Sequence, residues 1–270
     1  MMIPVLLKGH KGATEVQVYL AVTPEEIREA APYGQALAHV AYRIGPGSTL
    51  LRQSLPLQTR GGLLSVSDRN APPIGDPDAL CAAVLRECGR RGYTGAVLDF
   101  EEPPCQDRQV FAQRLAQALS QSRRPLFLPD GYGGKGGISL LCTAVSGGSF
   151  SQYLRDAAQK SGGSAALALD VERLRMDFRL PAPSGEGKPL DEKGFQELMQ
   201  QEAPSVFFSQ ELCARYFTYI RNGETHFVLF DDAETLRQKL RIGAGMGFSA
   251  AFFMWPEVRD IAPALWPRSP

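Results

Sequence analysis

The sequence has no excess of either charge: 29 lysines and arginines balance 29 aspartates and glutamates over 270 residues. Holding a nucleic-acid backbone or an anionic bilayer takes a clustered surplus of Lys and Arg, so neither partner is expected. Metal-ligand chemistry is as poorly supplied. The histidines, His10, His39 and His226, are scattered without metal-ligand spacing and read as structural or solvated, so no metal is expected. The cysteines, Cys81, Cys88, Cys105, Cys142 and Cys213, are odd in number and contain no C-x-x-C pair. That pattern argues against zinc and against a disulfide framework, and in favour of free, mostly buried thiols in a reducing compartment. The first apolar stretch, residues 3–7, is short and has no basic region before it. Neither a secretory leader nor a membrane span is expected, which points to a cytoplasmic or spore-associated protein. Without an internal repeat, low-complexity tract or linker, residues 1–270 read as one domain.

What the chain does contain is a series of short apolar runs. Residues 15–22, 37–44, 62–67, 96–98, 125–129, 138–145, 165–169 and 248–255 each read as a strand, and most are separated by segments with helical spacing. Leu80, Val84, Leu85 and Cys88 mark one helix, and Val110, Phe111, Leu115, Ala118 and Leu119 another. Parallel strands require a crossover each time, so eight of them alternating with helices predict an α/β fold, the (β/α)8 or TIM barrel. In that fold the active site lies at the carboxyl ends of the strands. Between the seventh and eighth strands the connection is too long for one helix. Within this insertion region, residues 176–246, two alternating runs over 215–230 flank Asn222-Gly223 and predict a type I′ β-hairpin, after which Asp231 or Asp232 caps a helix.

Residues 92–102 (GYTGAVLDFEE) organise the rest. An apolar strand runs straight into carboxylates, and acids at the end of a buried strand must be solvated or functional. Period-two geometry puts Asp99 and Glu101 on one side and Phe100 on the other, so the two carboxyls can share a pocket and divide acid and orienting roles. Asp68 and Asp130, just after the third and fifth strands, are further candidates for lining the site. Gly131, Gly133 and Gly136 satisfy G-x-G-x-x-G, but a strand rather than a helix follows, so the loop reads as a flexible rim and no cofactor is expected.

The strand-four segment resembles the D-G-x-D-x-D-x-E signature of glycoside hydrolase family 18, the chitinase-like enzymes. Gly95 takes the glycine, Asp99 the last aspartate and Glu101 the glutamate, while Thr94 and Val97 stand where the family has its first two aspartates. The carboxyl half is similar to the spore-germination and cortex-lytic branch of that family, which carries Y-F-x-Y, then H-x-V-W-F-x-D-A, then a last strand ending in tryptophan. Here Tyr216, Phe217 and Tyr219, then His226, Phe230 and Ala233, then Trp255 occupy those places.

The resemblance implies a glycosidase of N-acetylglucosamine-containing glycans such as peptidoglycan or spore cortex. Glu101 would protonate the glycosidic oxygen, the substrate's own acetamido group would attack, and Asp99 would orient it. It also implies that Trp255 floors the sugar subsite. The strand-six Tyr-Asp pair of the family is absent, and Tyr219 or Tyr132 is the expected replacement. Tyr19, Asp170 and Asp177 are the remaining expected sugar contacts. The missing groups leave a second reading open, a degenerate barrel that binds glycan or a protein partner without cleaving it.

Overall fold

The computed structural model describes residues 16–55, 59–132, 136–182 and 185–266. His10, Gly133 and Lys135 lie outside them. In chain order, β1 (Gln17–Val22) leads through a short helix α1 (Ile27–Ala30) to β2 (Ala36–Gly45), β3 (Thr49–Arg52) and β4 (Leu63–Ser67). Then follow α2 (Pro77–Arg91), β5 (Gly95–Asp99), α3 (Gln106–Gln121), β6 (Leu126–Pro129), β7 (Ile138–Cys142), α4 (Phe150–Lys160) and β8 (Leu167–Asp170).

Strands β1, β2, β4, β5, β6, β7 and β8 are joined by β14 (Ala250–Met254) in a parallel ring that closes where β1 pairs with both β2 and β14. This is the expected TIM barrel. Two of its crossovers depart from the simple alternation. β2 reaches β4 by way of β3, which pairs antiparallel on the outside of β2, and the described residues between β6 and β7 contain no helix.

The strands are apolar on both faces because each is covered on both. Ala38, Leu63, Val97, Phe127, Ala168 and Phe252 fill the barrel interior. Leu64, Val66, Ala96 and Leu98 point outward into a core shared with α2 and α3, and Leu169, Ala251 and Phe253 into one shared with α4 and the carboxyl-terminal helices. Helix α2 starts where its sequence says it should. Asp76 caps α2 by accepting from Ala79 N–H at 2.9 Å, with Pro77 in the first turn.

Between β8 and β14 stands more than a hairpin. β9 (Arg175–Leu180), β10 (Lys188–Pro189), β11 (Phe207–Ser209), β12 (Ala214–Arg221) and β13 (Glu224–Phe230) form a five-stranded antiparallel sheet. The predicted hairpin is β12–β13, turning at Asn222 and Gly223, whose φ values of 51° and 75° suit a type I′ turn. Helix α5 (Glu192–Glu202) covers one face of this sheet through Phe195 and Leu198. The chain returns to the barrel through α6 (Ala233–Gly245), whose amino-terminal cap is Asp232, with Thr235 completing a capping box. After β14 come α7 (Trp255–Val258) and α8 (Ala262–Leu265).

The neighbouring Asp231 has a different task. Its side chain is fully buried and paired at 2.7 Å with Lys239 Nζ, also fully buried. It accepts in addition from Thr235 Oγ1 at 2.8 Å and from Leu174 N–H at 3.1 Å, while Lys239 donates to the Thr143 carbonyl at 3.1 Å. One ion pair thus ties the end of β7, the root of the insertion and α6 together.

Candidate active site

Asp99 is the last residue of β5, and the alternation that turns Val97 inward and Leu98 outward also turns Asp99 inward, at the carboxyl mouth of the barrel. At the start of the same strand a Cβ on Gly95 would lie 2.6 Å from the Pro125 carbonyl, so only glycine allows β5 and β6 to approach as they do. Thr94 is exposed at that opposite end, its hydroxyl bonded to the Gly62 carbonyl at 3.0 Å. Val97, packed among Leu63 and Phe127, makes the barrel below Asp99 apolar. Among the described residues that fill the barrel interior beneath Asp99, none is a carboxylate.

Glu101 follows on the exposed loop, free to meet solvent or ligand. The peptide that carries it is fixed from two sides. Phe100 is inserted into the outer core, 6.4 Å from Phe111 and 5.3 Å from Tyr132 between ring centroids, and the Glu101 N–H donates to Asp68 Oδ1 at 2.9 Å.

Across the mouth, Asp170 ends β8 and points inward by the same alternation, two residues after the interior Ala168. Burial raises the Asp99 carboxyl above its usual range, and the charges of Glu101 and Asp68 act in the same direction, with Arg69 opposing. The Asp170 carboxyl is pushed up to about 6, first by burial and then by Glu172, Glu257 and Asp99. Beside it the Cys142 thiol, pushed up to about 12 mainly by burial, stays neutral and donates to Glu172 Oε2 at 3.2 Å. Glu257 is raised by burial as well, against a hydrogen bond at 3.2 Å from the Arg173 N–H. Asp99, Asp170 and Glu257 are therefore carboxyls that hold a proton more readily than usual.

A stability consequence follows from Asp170. Its folded pKa of about 6 exceeds the model-compound value of 3.8. The folded state thus holds the proton more tightly, and stability present below pH 4 is lost as pH rises through 6. Asp170→Asn removes that loss. Its stability relative to wild type, measured by urea unfolding at a series of pH values, is expected to improve by roughly 2 kcal/mol between pH 4 and pH 7; a pH-independent difference would contradict the assignment.

Other sequence candidates fall elsewhere. Trp255 is 1% exposed, in the layer between strands and helices, 5.4 Å from the Tyr33 ring and donating from Nε1 to Glu29 Oε2 at 3.0 Å. Its ring has no open face for a sugar. The alternation that sends Phe252 inward sends Met254 inward too, and Met254, 42% exposed, is the side chain β14 presents at the mouth. Tyr132 is likewise in the outer core, 5% exposed, against Phe100. Asp68 is 0% exposed, so it lies behind the site rather than lining it. Asp177 and Tyr219 meet each other on the α5-covered side of the insertion, Tyr219 donating to Asp177 Oδ2 at 2.7 Å, with His226 Nδ1 3.0 Å from Oδ1 of the same carboxylate. Neither stands in for the missing strand-six tyrosine. Tyr19 faces the interior, stacked on Phe252 at 5.0 Å and half-buried, and Asp130 is exposed just past β6.

The opposite face of the insertion packs Leu174, Leu229 and Ala214 near Ala144 of the loop after β7. Farther along that face Phe207, Tyr216, Phe227 and Phe178 form a diagonal stripe with centroid spacings of 5.6, 5.4 and 6.4 Å, and Phe207 is 54% exposed. Where insertion and barrel meet, a groove of about 360 Å³ is lined by Cys142, Glu172, Arg175, Met176, Glu192 and Glu257. Another concavity, of about 450 Å³ and lined by Tyr42, Arg52 and Glu87, lies on the outer wall and involves none of the mouth carboxylates. Among the described residues no cluster of His, Cys, Asp and Glu has the geometry to hold a metal ion, and no helix is long and apolar enough to cross a membrane.

The closed barrel is a fold also found in solved chitinases and spore cortex-lytic enzymes. Among solved structures the chain is similar to the spore cortex-lytic enzyme SleL of Bacillus megaterium QM B1551, with TM-score 0.65 and 14% identity over 98% of this chain and 77% of that one. It is similar to the chitinase of Chromobacterium violaceum, with TM-score 0.63 and 15% identity over 91% of this chain and 95% of the other. The family 18 chitinase of Cycas revoluta, solved in complex with (GlcNAc)4, superposes with TM-score 0.63 and 12% identity over 93% and 98%. No protein-family model and no curated protein matches the sequence.

Proposed function

We propose that the protein is a glycoside hydrolase of N-acetylglucosamine-containing glycans, peptidoglycan or spore cortex among them, acting by substrate-assisted catalysis. The observation that carries this reading is the placement of Glu101 immediately beyond the carboxyl end of the fourth barrel strand, two residues after the inward-facing Asp99, on a barrel shared with chitinases and cortex-lytic enzymes. Glu101 donates its proton to the glycosidic oxygen while the substrate's acetamido oxygen attacks the anomeric carbon. Asp99, partly dry and close to Glu101, accepts from the acetamido N–H and stabilises the charge that develops there. The aromatic stripe on the insertion offers flat apolar surface to the C–H faces of pyranose rings.

Attack by the acetamido group followed by water inverts the anomeric carbon twice, so the product keeps its configuration. Hydrolysis of N-acetylglucosamine oligomers followed by proton NMR is expected to show β-anomer as the first product, with glucosamine oligomers, which lack the acetyl oxygen, left uncleaved. Release of α-anomer, or cleavage of both substrates, would contradict the mechanism.

A second reading, glycan binding without cleavage, draws on the same strands. Val97 occupies the interior where an acid would polarise Asp99, and β7 ends in Cys142 rather than a tyrosine. Turnover that disappears in Glu101→Gln eliminates it.

A further inference from the structure

We infer that Asp68 and Arg108 form a positioning clamp for Glu101, a conclusion that rests on the assignment of Glu101 as the acid. Neither residue touches the mouth: Asp68 is 0% and Arg108 8% exposed. The two Asp68 carboxylate oxygens are divided between two duties. Oδ1 accepts from the Glu101 N–H at 2.9 Å, and Oδ2 accepts from Arg108 Nε at 3.0 Å.

Arg108 in turn belongs to the first turn of α3 and reaches back across the connection after β4, donating from Nη2 to the Ala71 carbonyl at 3.2 Å. Its neighbour Asp107 accepts from the Ile74 N–H at 2.7 Å. The end of β4, the loop carrying Glu101 and the start of α3 are thus fastened at one buried point. That loop, residues 100–105, is otherwise exposed from Glu101 to Pro104 and has no regular secondary structure of its own. A displacement of about 1 Å in such a group costs roughly 10²-fold in rate. The clamp orients the backbone from which the Glu101 side chain projects and leaves the carboxyl itself free.

Removing one member of a buried ion pair leaves the other charge uncompensated and threatens folding. The test therefore uses two paired replacements that both eliminate the charges. Asp68→Asn with Arg108→Gln keeps an oxygen for the Glu101 N–H, and Asp68→Leu with Arg108→Met does not. The asparagine pair is expected to stay within about 5-fold of wild-type kcat. The leucine pair is expected to lose roughly 10²-fold in kcat while KM for N-acetylglucosamine oligomers changes less than about 3-fold.

Exchange of the Glu101 amide hydrogen, followed by NMR, reads the clamp without reference to turnover: protection persists in the asparagine pair and falls at least about 10-fold in the leucine pair. Unchanged kcat in the leucine pair, or an unprotected Glu101 amide in the wild type, would overturn the inference. An inactive wild type whose Glu101 amide shows this protection pattern would overturn the glycosidase reading and leave the clamp standing.

Discussion

Glu101→Gln is expected to lower turnover of N-acetylglucosamine oligomers by about 10³-fold, the range of a general acid's contribution. Glutamine is nearly isosteric and Glu101 is exposed, so neither packing nor the Asp68 hydrogen bond to its backbone changes. Binding of the oligomers, measured by calorimetry, is expected to remain within a few-fold of wild type. The contrast is informative because the substitution removes only a proton donor. A variant that retains wild-type kcat would remove Glu101 from the chemistry, and one that loses binding and kcat together would show that the carboxylate holds substrate in the ground state.

The largest effect on stability is expected at Lys239. Lys239→Met keeps the length and apolar stem of the side chain but leaves the Asp231 carboxylate without its partner in a site where both are fully buried. Such an unpaired buried charge costs about 3–5 kcal/mol, which for a chain of this size lowers Tm by roughly 10 °C. Adding Asp231→Leu to Lys239→Met is expected to recover much of the loss, since an apolar pair needs no desolvation of charge. Thermal unfolding of the single and double variants checks both statements. Equal Tm values for Lys239→Met and wild type would mean that the pair contributes nothing to joining the insertion to the barrel.

Much of the architecture could be read directly because each barrel strand announces itself as an apolar run and the Asn222-Gly223 dipeptide specifies its own turn. Asp99 and Glu101 were legible for the same reason: carboxylates closing an apolar strand break a pattern. Trp255 illustrates what such runs conceal. Residues 250–255 are apolar throughout because the strand is covered both from inside and by the helix layer, so no polar alternation reveals that Met254 is the exposed, inward-facing side chain and Trp255 the buried one.

That Asp68 lies behind the site rather than lining it is not legible in the sequence, because its partners, Glu101 and Arg108, lie 33 and 40 residues away and no local pattern connects them. β10 and β11, at the two edges of the sheet around the hairpin, span only two and three residues and leave no periodic signal in the sequence. The pairing of β9, β12 and β13 brings Asp177, Tyr219 and His226 together on the sheet face that α5 covers. Asp170 carried a signal equal to that of Asp99, an acid ending the run 165–169, and in the folded barrel it becomes the second inward carboxyl of the mouth.

The central claim is most directly tested by incubating the protein with N-acetylglucosamine oligomers and spore-cortex fragments and analysing the products by mass spectrometry. The account predicts shortened oligosaccharides that carry one added water per bond cut and are absent when Glu101→Gln is used instead. Intact oligomers after incubation with wild type, together with binding seen by calorimetry, would contradict it and identify a barrel that holds glycan without cleaving it.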